Sequence, residues 1–263
     1  MTSSPSIAPK TPLGVGSIVS NSFSILFRNI VAVMIVAFVP SFIGLLMSAG
    51  MNGASATLGL AVGDPFGTGS VTTIILGIIL QLGIQGLTIA LLVQLAYDAK
   101  LGRPITPGAY IPPALKSIVP IVVLSLVIGI LATIGFMLLI IPGLLVYAVY
   151  CVTTPAIMIE RVGFGGMTRS ASLTKEYRWP IVGVLILLGI CTFGLTIVTS
   201  FLVAAIVPII GLNFVGFGLG LVLSALMAGF TYGLSGIGAA LIYARLRDIK
   251  EGVSVDKLAA VFD

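Results

Sequence analysis

Apolar residues run along this chain in long unbroken stretches, and polar residues gather in the short gaps between them. Six stretches are long enough to cross a hydrocarbon core about 30 Å thick, which takes about 20 residues of helix. They fall near 29–49, 72–96, 117–139, 141–159, 180–207 and 219–244. No alternation of lumen-facing polar residues interrupts them, so helices and not a barrel satisfy the backbone in lipid. The third and fourth are separated only by Ile140–Gly143, where Pro142 and Gly143 predict a tight turn or a break. The expected fold class is all-α: a polytopic bundle of six spans in three hairpins, folding as one membrane domain over 14–263.

Shorter segments have a different rhythm. In 14–28, Val15, Ile18, Val19, Phe23 and Leu26 share one helical face, and Ser17, Asn21, Ser24 and Arg28 share the other. That pattern suits a helix lying in the membrane interface. Similar segments stand at 104–116, at 162–178 and at 254–262, the last with Ser254 as its N-cap. Each of the first three leads through a basic residue into a hairpin, which predicts a degenerate threefold plan closed by a final helix. The polar stretch 1–13 predicts a disordered start. The first span is longer than a signal-peptide core and begins after position 28, so it reads as a span and not a cleaved leader.

Composition makes the membrane reading firm. The 263 residues are 58% hydrophobic and 8% charged, where soluble domains carry roughly 25% charge. The distribution of charge then gives orientation. All 13 Lys and Arg lie before span one, between spans two and three, between four and five, or after six; the other connections hold only Asp64. The positive-inside rule therefore places both termini and the two basic connections in the cytoplasm, with the interfacial helices on that side. Trp179 marks headgroup level at the start of span five.

Candidate chemistry is sparse. The chain has no histidine, the commonest general base and metal ligand. Cys151 and Cys191 lie inside apolar runs and read as small packing residues. Glycines 163, 165 and 166 lack the strand and the lysine–hydroxyl ending of a phosphate loop. No ionisable residue lies deep within a span, where one costs roughly 2.5–3.5 kcal/mol; this argues against an ion-coupled carrier and leaves a facilitator open. Gln81, Gln85 and Thr88 share a face of span two, for helix packing or for a polar path. Gly229, Gly233, Gly236 and Ala240 form a small-residue stripe in span six, which predicts close helix contact.

The ordered set of IleProGly at 141–143, Pro155, Glu160, Arg169-Ser170 with Leu173, and the tail 243–252 resembles bacterial inner-membrane proteins of the glycerophosphoryl diester phosphodiesterase membrane-domain type and their uncharacterised relatives. The resemblance spans most of the chain and implies a six-span inner-membrane module. It carries over no catalytic residue, because only about twenty residues follow span six.

The leading expectation is a non-enzymatic protein of the bacterial cytoplasmic membrane, without cofactor, metal or nucleic-acid partner. It would engage anionic lipid headgroups or a membrane partner, a second copy included, through Asp98, Arg103, Glu160, Arg169, Arg178, Arg245, Arg247 and Glu251. One alternative is a transporter or channel for a small or amphiphilic solute passing Gln81, Gln85 and Thr88. The other is a membrane enzyme using an acidic pair such as Asp98 and Glu160.

Overall fold

In lipid, an apolar segment satisfies its own N–H and C=O groups only as a helix, and helix dominates the chain. The computed structural model describes residues 12–60 and 71–252, the side chains of 71–74 excepted. The closing helix expected at 254–262 lies outside the described residues, as does most of the expected disordered start. That start ends sooner than position 13, however: Leu13 is buried in the main core, and the Pro12 carbonyl accepts from Arg245.

In chain order the helices are α1 (Val15–Arg28), α2 (Ile30–Asn52), α3 (Ala54–Thr57), α4 (Val71–Lys100), α5 (Pro107–Lys116), α6 (Ile118–Leu138), α7 (Ile140–Tyr150), α8 (Thr153–Glu160), α9 (Gly166–Thr174), α10 (Arg178–Ile210) and α11 (Phe214–Glu251). Six spans result: α2, α4 from Ile75, α6, α7 with α8, α10 and α11. The chain is a multi-pass, all-α membrane protein.

Several boundaries differ from the hydropathy reading, because helical hydrogen bonding does not stop where apolar residues do. The connection expected at 208–218 shrinks to Gly211–Asn213; Gly211 is left-handed at φ 86, and Asn213 Oδ1 caps α11 by accepting from Gly216 N–H at 2.9 Å. At its other end α11 runs on past 244 to Glu251. Its 38 residues span about 57 Å at 1.5 Å per residue, so its last turns clear a core about 30 Å thick.

The turn between α6 and α7 is tighter than a loop. Leu139 alone is extended, and a Cβ on Gly135 would come within 2.9 Å of Gly143 Cα, so only glycine allows this approach. Span four, read as continuous over 141–159, is broken at Cys151–Val152. Pro155 has no N–H to offer the carbonyl four residues back, and its ring crowds that carbonyl. Near the break, the Val149 carbonyl accepts from Ser170 Oγ at 2.7 Å and from Thr174 Oγ1 at 3.1 Å, both on α9.

The hairpins are α2–α4, α6–α7/α8 and α10–α11, and their second members α4, α8 and α11 touch one another. Each short helix leans chiefly on the hairpin preceding its own in cyclic order: α1 on α10 and α11, α5 on α4, α9 on α7 and α8. This contact cycle matches the threefold plan. It also changes the role of α1, whose Ile18, Ser22 and Leu26 are buried against protein. The small-residue stripe is the seam of α11: Gly229 faces Met34 and Ala37, Gly233 faces Val33, and Gly236 faces Leu92.

Candidate functional site

Tyr243, Arg247 and Glu251 stand four residues apart, so they project from one face of the overhanging end of α11. That face meets Glu160, the last residue of α8, and Arg169 on α9. Arg169 grips Glu160 with two bonds, Nε to Oε2 and Nη2 to Oε1, each 2.7 Å, and its Nη2 also donates to Glu251 Oε1. Paired forks of this kind are the stronger charge-assisted contacts. Arg247 Nε lies 2.9 Å from Glu251 Oε2 and 3.5 Å from Glu160 Oε1, with its guanidinium 5.8 Å from the Tyr243 ring centroid. Tyr243 donates to Glu160 Oε1.

The result is a closed set of two carboxylates and two guanidiniums. Its side chains are between 18 and 28% exposed, so solvent screens it only in part. The Glu160 carboxylate beside Arg169 pushes that guanidinium above its usual range, so Arg169 stays charged at any ordinary pH.

Of the eight residues expected at the basic end, the structure brings Glu160, Arg169, Arg247 and Glu251 into this one cluster. Arg245 points elsewhere, paired with Asp248 at 2.8 Å. Asp98 faces Tyr110 of α5, and Thr106 N–H donates to the Tyr110 hydroxyl at 3.3 Å. Burial first, then this contact with Asp98, pushes the Tyr110 phenol up to about 12. Arg103 and Arg178 are exposed and belong to neither cluster. Asp98 and Glu160, the acidic pair an enzyme would use, thus bind different partners.

Membraneward of the charged cluster, a cavity of about 450 Å³ lies among α4, α6, α7, α8, α10 and α11. It begins one turn below Glu160, at Ile157, and beside Tyr243, at Ile242. Of the three expected path residues only Gln85 lines it. Thr88 turns its hydroxyl to the Ile84 carbonyl at 2.7 Å, and Gln81 sits beside Gly44 of α2.

The sequence alone does not pair Tyr243 with Glu160, gives Ser170 a place in the resemblance but no contact, and does not single out Thr174 or Thr153. The four-residue spacing of 243, 247 and 251 was a readable signal for the first. Pro155, which marks the break that α9 covers, was a signal for the others. No family model, curated protein or solved structure matches the chain.

Proposed function

We propose that this is a non-enzymatic protein of the bacterial cytoplasmic membrane whose basic end, on the cytoplasmic side with both termini, engages anionic lipid headgroups. One observation supports the reading above others: Arg28, Arg103, Lys116, Arg161, Lys175 and Arg178 are all exposed at that end. Large apolar side chains stand among them at the same level, with Trp179 66%, Phe27 60% and Phe164 59% exposed. Cations interleaved with exposed aromatics suit headgroup depth.

Arg169 and Arg247 drop out of the lipid-contact role on this reading, because Glu160 and Glu251 already neutralise them. Lipid contact passes to Arg103, Lys116 and Arg178. The residues that carry the family resemblance support a shared architecture in the same way. Gly143 makes the tight turn, Pro155 marks the helix break, Ser170 closes on it, and Glu160 with Arg169 forms the lock.

The test is lipid composition around the protein extracted from mixed phosphatidylglycerol and phosphatidylcholine nanodiscs. Each nearby cation is worth about 1 kcal/mol toward an anionic surface, or about fivefold. The Arg103→Gln/Lys116→Gln/Arg178→Gln variant should therefore lose most of its phosphatidylglycerol enrichment, and the loss should shrink as salt rises. Unchanged enrichment would end the proposal.

A further inference from the structure

The cavity below the charged cluster has a wall that packing alone does not explain. Its volume of about 450 Å³ lies within the roughly 300–1,000 Å³ of small-molecule sites. The residues that line it recur every three or four positions, as Leu82, Gln85, Gly86 and Ile89 do on α4 and Ile121, Ser125 and Ile128 do on α6. Each of these helices therefore turns one face to the cavity, with its polar residue in the middle of that face.

Every helix of the wall adds at least one uncharged hydrogen-bonding side chain: Gln85 from α4, Ser125 from α6, Tyr150 from α7, Thr154 from α8, Thr192 from α10 and Ser235 from α11. Among the described residues no Asp, Glu, Lys or Arg lines it. Polar side chains within a membrane bundle ordinarily bond across to a neighbouring helix or back to their own. Among the described residues Gln85, Ser125, Tyr150 and Thr154 do neither, and their polar atoms keep accessible surface. Thr153 is not one of this set, because protein seals its Oγ1. Thr192 and Ser235 give their protons to their own helices, at the Gly189 and Thr231 carbonyls 3.0 and 2.9 Å away, and so offer an occupant only lone pairs.

An amide or hydroxyl held in an apolar wall without a partner costs free energy, so this wall calls for a polar occupant. The occupant is uncharged, because nothing in the described wall would compensate a charge for its lost hydration. It both donates and accepts: the Gln85 amide presents two N–H groups and a carbonyl, the free hydroxyls present both functions, and Thr192 and Ser235 only accept. It does so on several sides, because the polar groups come from six helices around the cavity. A lipid carries its polar group at one end and would leave most of them bare. Hydroxyls spaced around a short carbon frame meet all of these requirements, with C–H faces left for Ile121, Leu144 and Leu188.

We infer that this cavity binds a compact uncharged polyol, its hydroxyls bonded by Gln85 and Ser125 on one wall and by the hydroxyls of the facing helices on the other. The site stands apart from the proposed headgroup contact. A neutral solute reports on the cavity alone, so either reading can fail without the other.

The experiment is equilibrium dialysis of the full chain against radiolabelled sorbitol, in an uncharged detergent that carries no sugar group. One sorbitol should bind per chain. Myo-inositol should displace it, and gluconate, which has the same carbon chain with a carboxylate at one end, should not. Gln85→Leu should weaken binding by about tenfold and Ser125→Ala by about fivefold. Neither should lower the melting temperature, because neither side chain has a hydrogen bond to lose among the described residues. Binding of neither sorbitol nor myo-inositol, displacement by gluconate as strong as by myo-inositol, or binding undiminished in both variants would overturn the inference. So would retention of monooleoylglycerol by a chain that ignores both polyols, the behaviour of a lipid pocket. A higher melting temperature for Gln85→Leu with no polyol bound by the wild type would overturn it as well, and would mark a cavity that holds only water.

Discussion

Tyr243 donates its hydroxyl to Oε1 of Glu160 at 2.5 Å, joining residues 83 positions apart. The same carboxylate holds Arg169, so α8, α9 and α11 are fastened at one point. The fastening lies at the basic end, where the second helices of the three hairpins meet. Below it the cavity lies among the hairpins, and their far halves expose apolar side chains. The charged cluster therefore acts on architecture first: it holds α8, α9 and α11 together at the basic end, while Leu58, Val203, Val207 and Leu221 pack the first and third hairpins at the other.

Removing one carboxylate tests that role. In Glu160→Gln, Arg169 and Arg247 must share Glu251 alone. The cluster is neither exposed nor fully buried, so the cost lies between the surface and interior limits, at about 1–3 kcal/mol. Thermal unfolding of the purified protein in detergent should show Glu160→Gln melting well below wild type. A double-mutant cycle with Arg169→Gln should return a coupling of about 1 kcal/mol or more. Strict additivity of the two substitutions would mean that the lock contributes nothing beyond its separate parts.

The Val149 carbonyl gives a second test, in the break of span four. Ser170→Ala alone leaves Thr174 as donor and should cost about 1 kcal/mol. Ser170→Ala with Thr174→Val removes both donors that α9 supplies to a buried carbonyl. Two outcomes are open to that carbonyl, and melting temperatures separate them. A more than additive loss means that it is left unpaired. An additive or smaller loss means that Thr153, whose own hydroxyl has no partner among the described residues, takes it over.

How much of this was legible depends on how far apart the interacting residues lie. The six spans and the turn at Pro142-Gly143 are local facts, written in continuous hydropathy and in two residues with special backbones. The seam at Gly229, Gly233 and Gly236 was legible too, because small residues at that spacing have little use except close approach. The break at Cys151–Val152 was masked by apolar residues on both sides, although Pro155 marked it. The lock was the least legible part. Glu160, Arg169, Arg247 and Glu251 were all recognised as interfacial charges, but nothing local says that they neutralise one another. Their pairing is created by helix packing, and it reverses the conclusion drawn from each charge alone.

The α11 seam should be intolerant of added volume. A Cβ on Gly236 would lie 2.9 Å from Leu92 Cβ, an atom that cannot swing away as a side-chain tip can. Gly236→Val should therefore destabilise the bundle by about 1–3 kcal/mol through overpacking. Gly129→Ala adds a methyl where nothing lies within 4 Å and should be neutral, or stabilising by about 0.4–1 kcal/mol through the helix preference of alanine. Comparing the two melting temperatures separates crowding at the seam from a general effect of replacing glycine.

Tyr110 gives a pH-dependent signature at the other polar contact. Its folded value near 12 lies above the ordinary 10 because burial, and then Asp98, disfavour the phenolate. A group raised in this way lends stability that is complete below its unfolded value and is lost as pH climbs through the folded one. The wild-type minus Tyr110→Phe ultraviolet difference titration should show one phenol ionising near 12. Asp98→Asn should bring that transition down while leaving the part due to burial. A Tyr110 transition at 10 in the folded wild type would contradict the contact.

The orientation proposed from charge can be measured directly. Leu212 lies in the short connection between α10 and α11, at the opposite end of the bundle from Arg103, and both residues are exposed. Single cysteines at these positions, in a Cys151→Ala/Cys191→Ala background, should respond oppositely to a membrane-impermeant maleimide. Leu212→Cys should label in intact cells, and Arg103→Cys only after permeabilisation. The reverse pattern would put the exposed cations outside, away from the anionic inner leaflet, and the headgroup proposal would fall with it.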